Sequence, residues 1–349
     1  MSHPAEQIRF CASHDGTRIA FSIYGSGPPL ILAQRWVHHL KLDWDSPIWR
    51  PWLVFLASRH TLVRYDCRGC GLSDRDDVKF SFDSFVDDLE AVIEAAGFQR
   101  FVLFGMGDGA ARAIAYAVGY PSRVAQLILH GSCSRGRMLD PQLVEEAQTR
   151  LKTIKLGWYG NNPAFSHVTP LPDASTEQLK AYADMRRAAT SPESAMQIVQ
   201  MIYGTDVRTL ARQVRTPTLV LHARDDAIHP FDEGRTVATL IPSAQFVPLE
   251  SRNHILLDTE PAWQQFVEAL DDFLLGRPTS RLDVLTAREN EVLEFLARGL
   301  DNHAIAKQLG SSSKTVRNQV STIFSKLEVK SRAEAVAHAR DAGFGHQDL

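Results

Sequence analysis

The chain has 349 residues, 44% of them hydrophobic and 23% charged, with a formal net charge of −3. That length exceeds an ordinary single domain and supplies enough apolar residues for a sizeable core, so one large domain and one small one are expected. A near-neutral total excludes a uniformly basic or acidic chain, and four cysteines, Cys11, Cys67, Cys70 and Cys133, lack the second close pair that a zinc site needs. No metal and no cofactor are expected. Buried or loop thiols are the plain reading of C-R-G-C, and a redox switch is the alternative. The first residues carry no cationic leader, and no apolar run is long enough to span a membrane. The expectation is a soluble cytoplasmic protein with no membrane partner.

Taken in chain order, short apolar strands alternate with amphipathic helices, which is the pattern of a mostly parallel sheet covered on both faces. A hairpin is predicted over residues 8–24, turned at Asp15-Gly16. Further strands are predicted at 30–33, 62–65, 101–104, 127–130, 219–222 and 246–249, and helices at 84–96, 109–118 and 261–275. Residues 137–203 break the alternation, favour helix and carry Trp158, Tyr159, Phe165 and Tyr182. This stretch reads as a cap over the carboxyl ends of the strands, where such sheets bind ligands. Gly276 and Pro278 end the last of these helices, placing a linker at 277–281 between a domain of 1–276 and one of 282–349.

Residues 103–110 read L-F-G-M-G-D-G-A, the frame of a nucleophile elbow with Gly107 where a serine hydrolase has its nucleophile. Gly105 and Gly109 supply the small flanks. Asp226, in L-V-L-H-A-R-D-D, and His254, in S-R-N-H-I, follow in the chain order of a Ser-Asp-His triad. With the loop D-C-R-G-C-G-L-S-D at 66–74, these motifs resemble the α/β-hydrolase superfamily over residues 8–276, in particular the variety fused to adenylate cyclases or regulators, which segment 36–47 also resembles. The resemblance implies an α/β-hydrolase fold with a helical cap.

Two departures bear on function. Glycine has no nucleophilic atom, and Gln34-Arg35-Trp36 replaces the usual His-Gly of the oxyanion loop. No catalytic residue is therefore expected, and Gly107, Asp226 and His254 are degenerate triad positions. Gly107 is either the natural residue or a substitution in a working enzyme. The backbone N–H groups of Trp36 and Asp108 would suit a ligand carbonyl or carboxylate, with Arg35 adding charge if it points inward. Asp226 and His254 read as a polar anchor for ligand, an inherited hydrogen-bonded pair, or a water-activating base. Asp108 as a substitute nucleophile is one residue out of register, pointing along the following helix. The expected ligand site comprises Gln34, Arg35, Trp36, Met106, Gly107, Asp108, Trp158, Tyr159, Phe165 and His254, with ordinary cap packing the alternative for the aromatic residues. His38 and His39 read as loop or surface residues.

The tail carries helix start signals: a capping box at Thr286 and Glu289, Asp301 or Asn302, Ser312 or Ser313, and a second box at Ser331 and Glu334. Between residues 302 and 340, seven lysines and arginines face only Glu328 and Glu334. Its motifs, L-T-A-R-E-N-E-V-L, I-A-K-Q-L and T-V-R-N through S-R-A-E-A, resemble the LuxR-type helix-turn-helix, a small all-α four-helix domain; Gln319 departs from that family's usual histidine. The resemblance implies base reading by Arg317, Asn318 and Ser321 and backbone holding by Lys314, Thr315, Gln319, Lys326 and Arg332 on double-stranded operator DNA. Two-fold operators imply a homodimer, with Ala335, Val336 and Ala339 as a face and some of the hydrolase-domain surface as a further contributor. The expected whole is a one-component transcription regulator sensing a small, largely apolar molecule with one acidic or carbonyl group. A hydrolase or lyase using His254 and Asp226 without serine, and a purely docking N-terminal domain, are the rival readings.

Overall fold

The computed structural model describes residues 7–158, 170–242, 244–276, 285–327, 329–341 and 344–345. The expected linker at 277–281 lies outside the described residues, as do Tyr159 and Phe165. The chain divides into two compact units, Met1–Phe266 and Val267–Leu349, each described by itself.

The larger unit is built on eight strands: β1 (Gln7–Ala12), β2 (Arg18–Tyr24), β3 (Pro29–Ala33), β4 (Thr61–Tyr65), β5 (Phe101–Met106), β6 (Val124–His130), β7 (Thr218–Ala223) and β8 (Ala244–Leu249). They form one sheet in the order β1-β2-β4-β3-β5-β6-β7-β8. β1 and β2 are the antiparallel hairpin turned at Asp15-Gly16, β2 lies antiparallel to β4, and the remaining neighbours are parallel. All six residues of β5 and of β7 are buried, because a central parallel strand is covered on both faces.

Helices cover the sheet. α1 (Leu42–Asp45) and α2 (Trp49–Ala57) precede β4, and α3 (Phe82–Ala96) precedes β5. α3 begins two residues earlier than the pattern suggests, because Ser81 caps it and Ser84 closes the box; Gly97 ends it at φ +77°. α4 (Gly109–Gly119) follows β5. Between β6 and β7 the chain forms the helical cap: a short 3-10 turn (Arg137–Leu139), α5 (Val144–Gly157), α6 (Thr176–Ala189) and α7 (Pro192–Tyr203), followed by α8 (Arg208–Ala211). α9 (Phe231–Leu240) joins β7 to β8, and α10 (Pro261–Leu274) spans the division between the units. Sequence periodicity had not marked α2, yet Trp52 on it is 1% exposed, with ring centroids 4.7 Å from Phe266 and 5.0 Å from Trp263.

Loops are pinned by buried ions. Both oxygens of Asp88 accept from Arg68, at 2.8 and 2.7 Å, and Arg68 also reaches Asp15 in the hairpin turn at 2.6 Å. Asp66 accepts backbone N–H bonds from Leu40 and Leu72; a Cβ at Gly71 would stand 2.1 Å from its carboxylate, which explains the glycine. Burial pushes the Asp66 carboxyl up to about 8. His38 lies in a loop, one of the two places the sequence allowed, but away from the surface: it is fully buried, its Nδ1 3.2 Å from Asp66. Cys67 and Cys70 are buried, and burial pushes the Cys67 thiol up to about 12, which leaves little thiolate for redox chemistry.

The smaller unit holds α11 (Ala287–Ala297), α12 (Asn302–Gln308), α13 (Ser313–Leu327) and α14 (Arg332–Asp341). Thr286 and Glu289 form the expected capping box, Asp301 caps α12, and Gly310 turns the chain at φ +58°. Val292, Leu296, Ile305, Val316, Ile323 and Leu327 build its core. The second box is half-formed: Ser331 Oγ accepts from Glu334 N–H, while the Glu334 carboxylate accepts from Lys330 rather than Ser331.

Candidate functional site

The turn after β5 carries Gly107 at φ +57°, a conformation that costs glycine little. A Cβ built there would lie 3.4 Å from His254 Nε2, so Gly107 occupies the position from which a serine side chain would meet that ring. His254 Nδ1 sits 2.8 and 3.1 Å from the two carboxylate oxygens of Asp226. Asp226 Oδ1 also accepts the backbone N–H groups of Ile228 and His229, fixing the carboxylate. Burial works against a charged His254 ring, but the Asp226 charge and hydrogen bond outweigh it and raise the imidazole pKa above its ordinary value. Burial likewise opposes the Asp226 charge, and His254 still holds that carboxyl below the usual carboxylate range.

Asp108 points along the following helix, as expected, and pairs with Arg112 one helical turn on, at 3.1 Å. The backbone N–H groups of Trp36 and of Asp108 itself, the two donors expected to face a ligand, favour the charge of that carboxylate. Burial raises its pKa, and Arg112 with those N–H groups opposes the rise. The N-terminus of α4 adds a favourable dipole. Arg112 ties the arrangement together by donating to the Gln34 carbonyl of the preceding loop.

These groups open into a cavity of ≈ 350 Å³ under the cap. Of the expected ligand-site residues, Arg35, Trp36, Met106, Gly107, Asp108 and His254 line it. Gln34 is buried outside the lining, with Nε2 lacking a hydrogen-bond partner among the described residues. Trp158 is buried behind Trp36, edge to face at 6.4 Å, so it supports the wall instead of forming it. The Arg35 guanidinium lies 3.3 Å over the Trp49 ring and pairs with Asp43 at 3.0 Å, which turns its charge away from a ligand.

The roof escaped the sequence reading. Arg137, Glu146, Thr149, Arg150 and Thr153 line it, with Glu146 bridging Arg137 at 3.2 Å and Arg150 at 2.9 Å. Arg186 reaches the wall between the Trp36 and Trp158 rings, 4.6 and 5.3 Å from their centroids. The Glu146-Arg150 spacing of four was a visible helical pair, but no local pattern tells which face of a cap helix turns inward.

In the smaller unit, α12 and α13 form the helix-turn-helix. Lys314, Thr315, Arg317, Asn318 and Ser321 are exposed on α13, and Gln319 is half-buried with a shielded Oε1. Ser321 donates back to the Arg317 carbonyl, and Thr315 completes the Ser312 cap. Lys326 and Arg332 differ from expectation: Lys326 pairs with Glu289 at 2.7 Å, and Arg332 holds the Leu300 carbonyl and Asn302. They brace the module. Ala335 and Ala339 are fully buried in its core and Val336 packs against it, so they do not form an exposed dimer face.

Comparisons with known proteins agree with this architecture. The family model described as serine aminopeptidase, S33, matches residues 55–257, and the chain belongs to that α/β-hydrolase family. A second model, bacterial regulatory proteins, luxR family, matches residues 283–339. A putative carbamate hydrolase RutD from Azorhizobium caulinodans is 24% identical over 259 residues, 73% of this chain and 93% of that protein. The transcriptional regulatory protein DesR of Bacillus subtilis is 46% identical over 65 residues, 19% of this chain and 33% of that regulator. An esterase from Exiguobacterium antarcticum superposes with a TM-score of 0.65 at 19% identity, over 76% of this chain and 98% of its own. The chain is thus an α/β-hydrolase domain with a cap, joined to a LuxR-type DNA-binding domain. Among the described residues, no helix is long and apolar enough to cross a membrane.

Proposed function

We propose that the chain is a ligand-responsive one-component transcription regulator, acting in a bacterial cytoplasm on operator DNA as a homodimer. The hydrolase-fold domain, up to about residue 276, binds a small molecule without turning it over, and the domain from about residue 282 addresses DNA. The observation that carries this reading is Gly107: a side chain there would meet His254 Nε2, and glycine has no atom to attack a substrate. The cavity is of ligand size. A switch requires that the ligand favour one domain arrangement over another.

Arg317, Asn318 and Ser321 are the proposed base readers, with Lys314, Thr315 and Gln319 on phosphate; Lys326 and Arg332 support α13 from within. The dimer forms through a face other than that of Ala335 and Ala339. The test is mass spectrometry of material released from protein purified under native conditions. A small molecule in stoichiometric amount is expected, and adding it back should shift operator affinity. Protein that carries nothing, and whose operator binding no added compound alters, would refute the sensor.

The intact Asp226-His254 pair favours one second reading, a hydrolase or lyase in which the imidazole activates water. Turnover of esters or lactones that disappears in His254→Ala would establish it; rates unchanged by that substitution would remove it.

A further inference from the structure

Where a hydrolase holds its serine, this chain leaves open space directly facing His254. An atom at the Cβ position of residue 107 would touch Nε2 at 3.4 Å, and the ring cannot turn away because Asp226 holds its other nitrogen through two oxygens. The neighbouring Asp108 carboxylate is an acceptor tied to Arg112 and offers an anion no donor. His254 presents its Nε2 to this space at the base of the cavity.

Resting on the sensor reading above, we propose that the cavity takes a carboxylic acid with an apolar body, its carboxylate seated over Gly107 and accepting the Nε2–H of His254. The sign of the charge follows from the walls: with Arg35 turned to Asp43, three arginines, Arg137, Arg150 and Arg186, line the cavity against two carboxylates, Asp108 and Glu146. Both carboxylates are already tied to arginine, Asp108 to Arg112 and Glu146 to Arg137 and Arg150. An anion thus enters a positive field, where a charge-assisted bond is stronger than a neutral one. Met106, Val199, Ile202 and Ile255 offer the apolar surface for the rest of the molecule.

The groups around the ring support its charged form. Asp226 and Asp108 face it as anions. His130, His222 and His229 are buried with lowered pKa values, so they remain neutral at neutral pH and do not compete for the proton. Carboxylate binding is therefore full at pH values where His254 is protonated and falls as pH rises through its raised pKa.

The experiment is calorimetric titration of the full chain with octanoate, decanoate and phenylacetate and with the corresponding primary alcohols. The acids should bind, and the alcohols should bind at least roughly tenfold more weakly. Gly107→Ala puts a methyl in the seat and should weaken the acids by roughly tenfold to a hundredfold, with little change for the alcohols. Should the alanine fail to fold at its positive φ, His254→Gln carries the same test, with a thermal melt and operator binding as folding controls. Acids that bind unchanged to both variants, or no better than alcohols, overturn the carboxylate seat, as does a wild-type protein that binds none of the acids. A neutral molecule released in stoichiometric amount from native protein would uphold the sensor while refuting this seat.

Discussion

Among the described residues, the larger unit buries arginines and the smaller one does not, although the larger unit also exposes others such as Arg18, Arg59 and Arg252. In the larger one Arg35, Arg64, Arg68, Arg112 and Arg186 are buried, and the first four reach Asp43, Asp88, Asp108 or backbone carbonyls. In the helical unit, Arg288, Arg298, Arg317 and Arg340 are exposed, Arg332 is half-buried, and no arginine among the described residues is buried. Buried ion pairs add little net stability over apolar packing, but losing one partner strands a charge and is costly, so they impose one geometry on the loops they join. Of the exposed ones, Arg288 and Arg298 pair with Glu291 and Glu294 and Arg340 donates to the Ala297 carbonyl, while Arg317 stands on the outward face of α13, where a cation can meet phosphate or base. The larger unit uses charge to shape a cavity, and the smaller one presents charge outward.

That contrast can be broken in several places. The largest effect should come from Trp52→Ala, which removes the hub of the aromatic cluster around Phe104, Trp263 and Phe266 and should cost about 3–5 kcal/mol. Thermal denaturation should show the loss in the hydrolase-fold unit, while helix-turn-helix binding to DNA persists.

Next in size is the Asp108 carboxylate in the same cavity. Gly107→Ser alone places a hydroxyl beside His254 but leaves that carboxylate in the lining, where it opposes a developing oxyanion, so ester hydrolysis should stay close to background. Gly107→Ser with Asp108→Ala should exceed it by about 10²–10³-fold, the usual worth of one oxyanion-stabilising group. Equal rates for the two variants in a chromogenic ester assay would show that Asp108 does not obstruct the site.

Smaller again is Arg317→Ala, expected to weaken operator binding by about 1–3 kcal/mol and relax sequence preference, whereas Lys314→Ala weakens all sequences alike. Anisotropy titrations across a salt series would separate the two. Lys326→Ala should leave the salt slope nearly unchanged, because Glu289 already holds that ammonium; a slope reduced by a full unit would return Lys326 to the phosphate set. The least effect, about 1 kcal/mol of helix stability, is expected from Thr286→Ala, which deletes the cap that accepts from Glu289 N–H; a melt of the helical unit measures it.

The strands, the elbow, the Asp226-His254 pair and the four helices of the tail were legible because each has a local signature. A buried parallel strand is a continuous apolar run, an elbow needs its glycines, and a helix announces its cap. The mostly buried helix α2 was not legible, because its nearly continuous apolar run shows no helical face until Trp263 and Phe266, distant in the chain, surround Trp52.

Residue identity alone determined that position 107 has no nucleophile and that the tail can read DNA, since both depend on which atoms a side chain possesses. Only the tertiary structure decided what those atoms face. It tied Asp108 to Arg112, withdrew Arg35 to Asp43, buried Ala335 and Ala339 in their own module, and brought the arginines of the cap into one cavity with His254. Direction and partnership are set by contacts between segments distant in the chain, and periodicity within one segment carries no information about them.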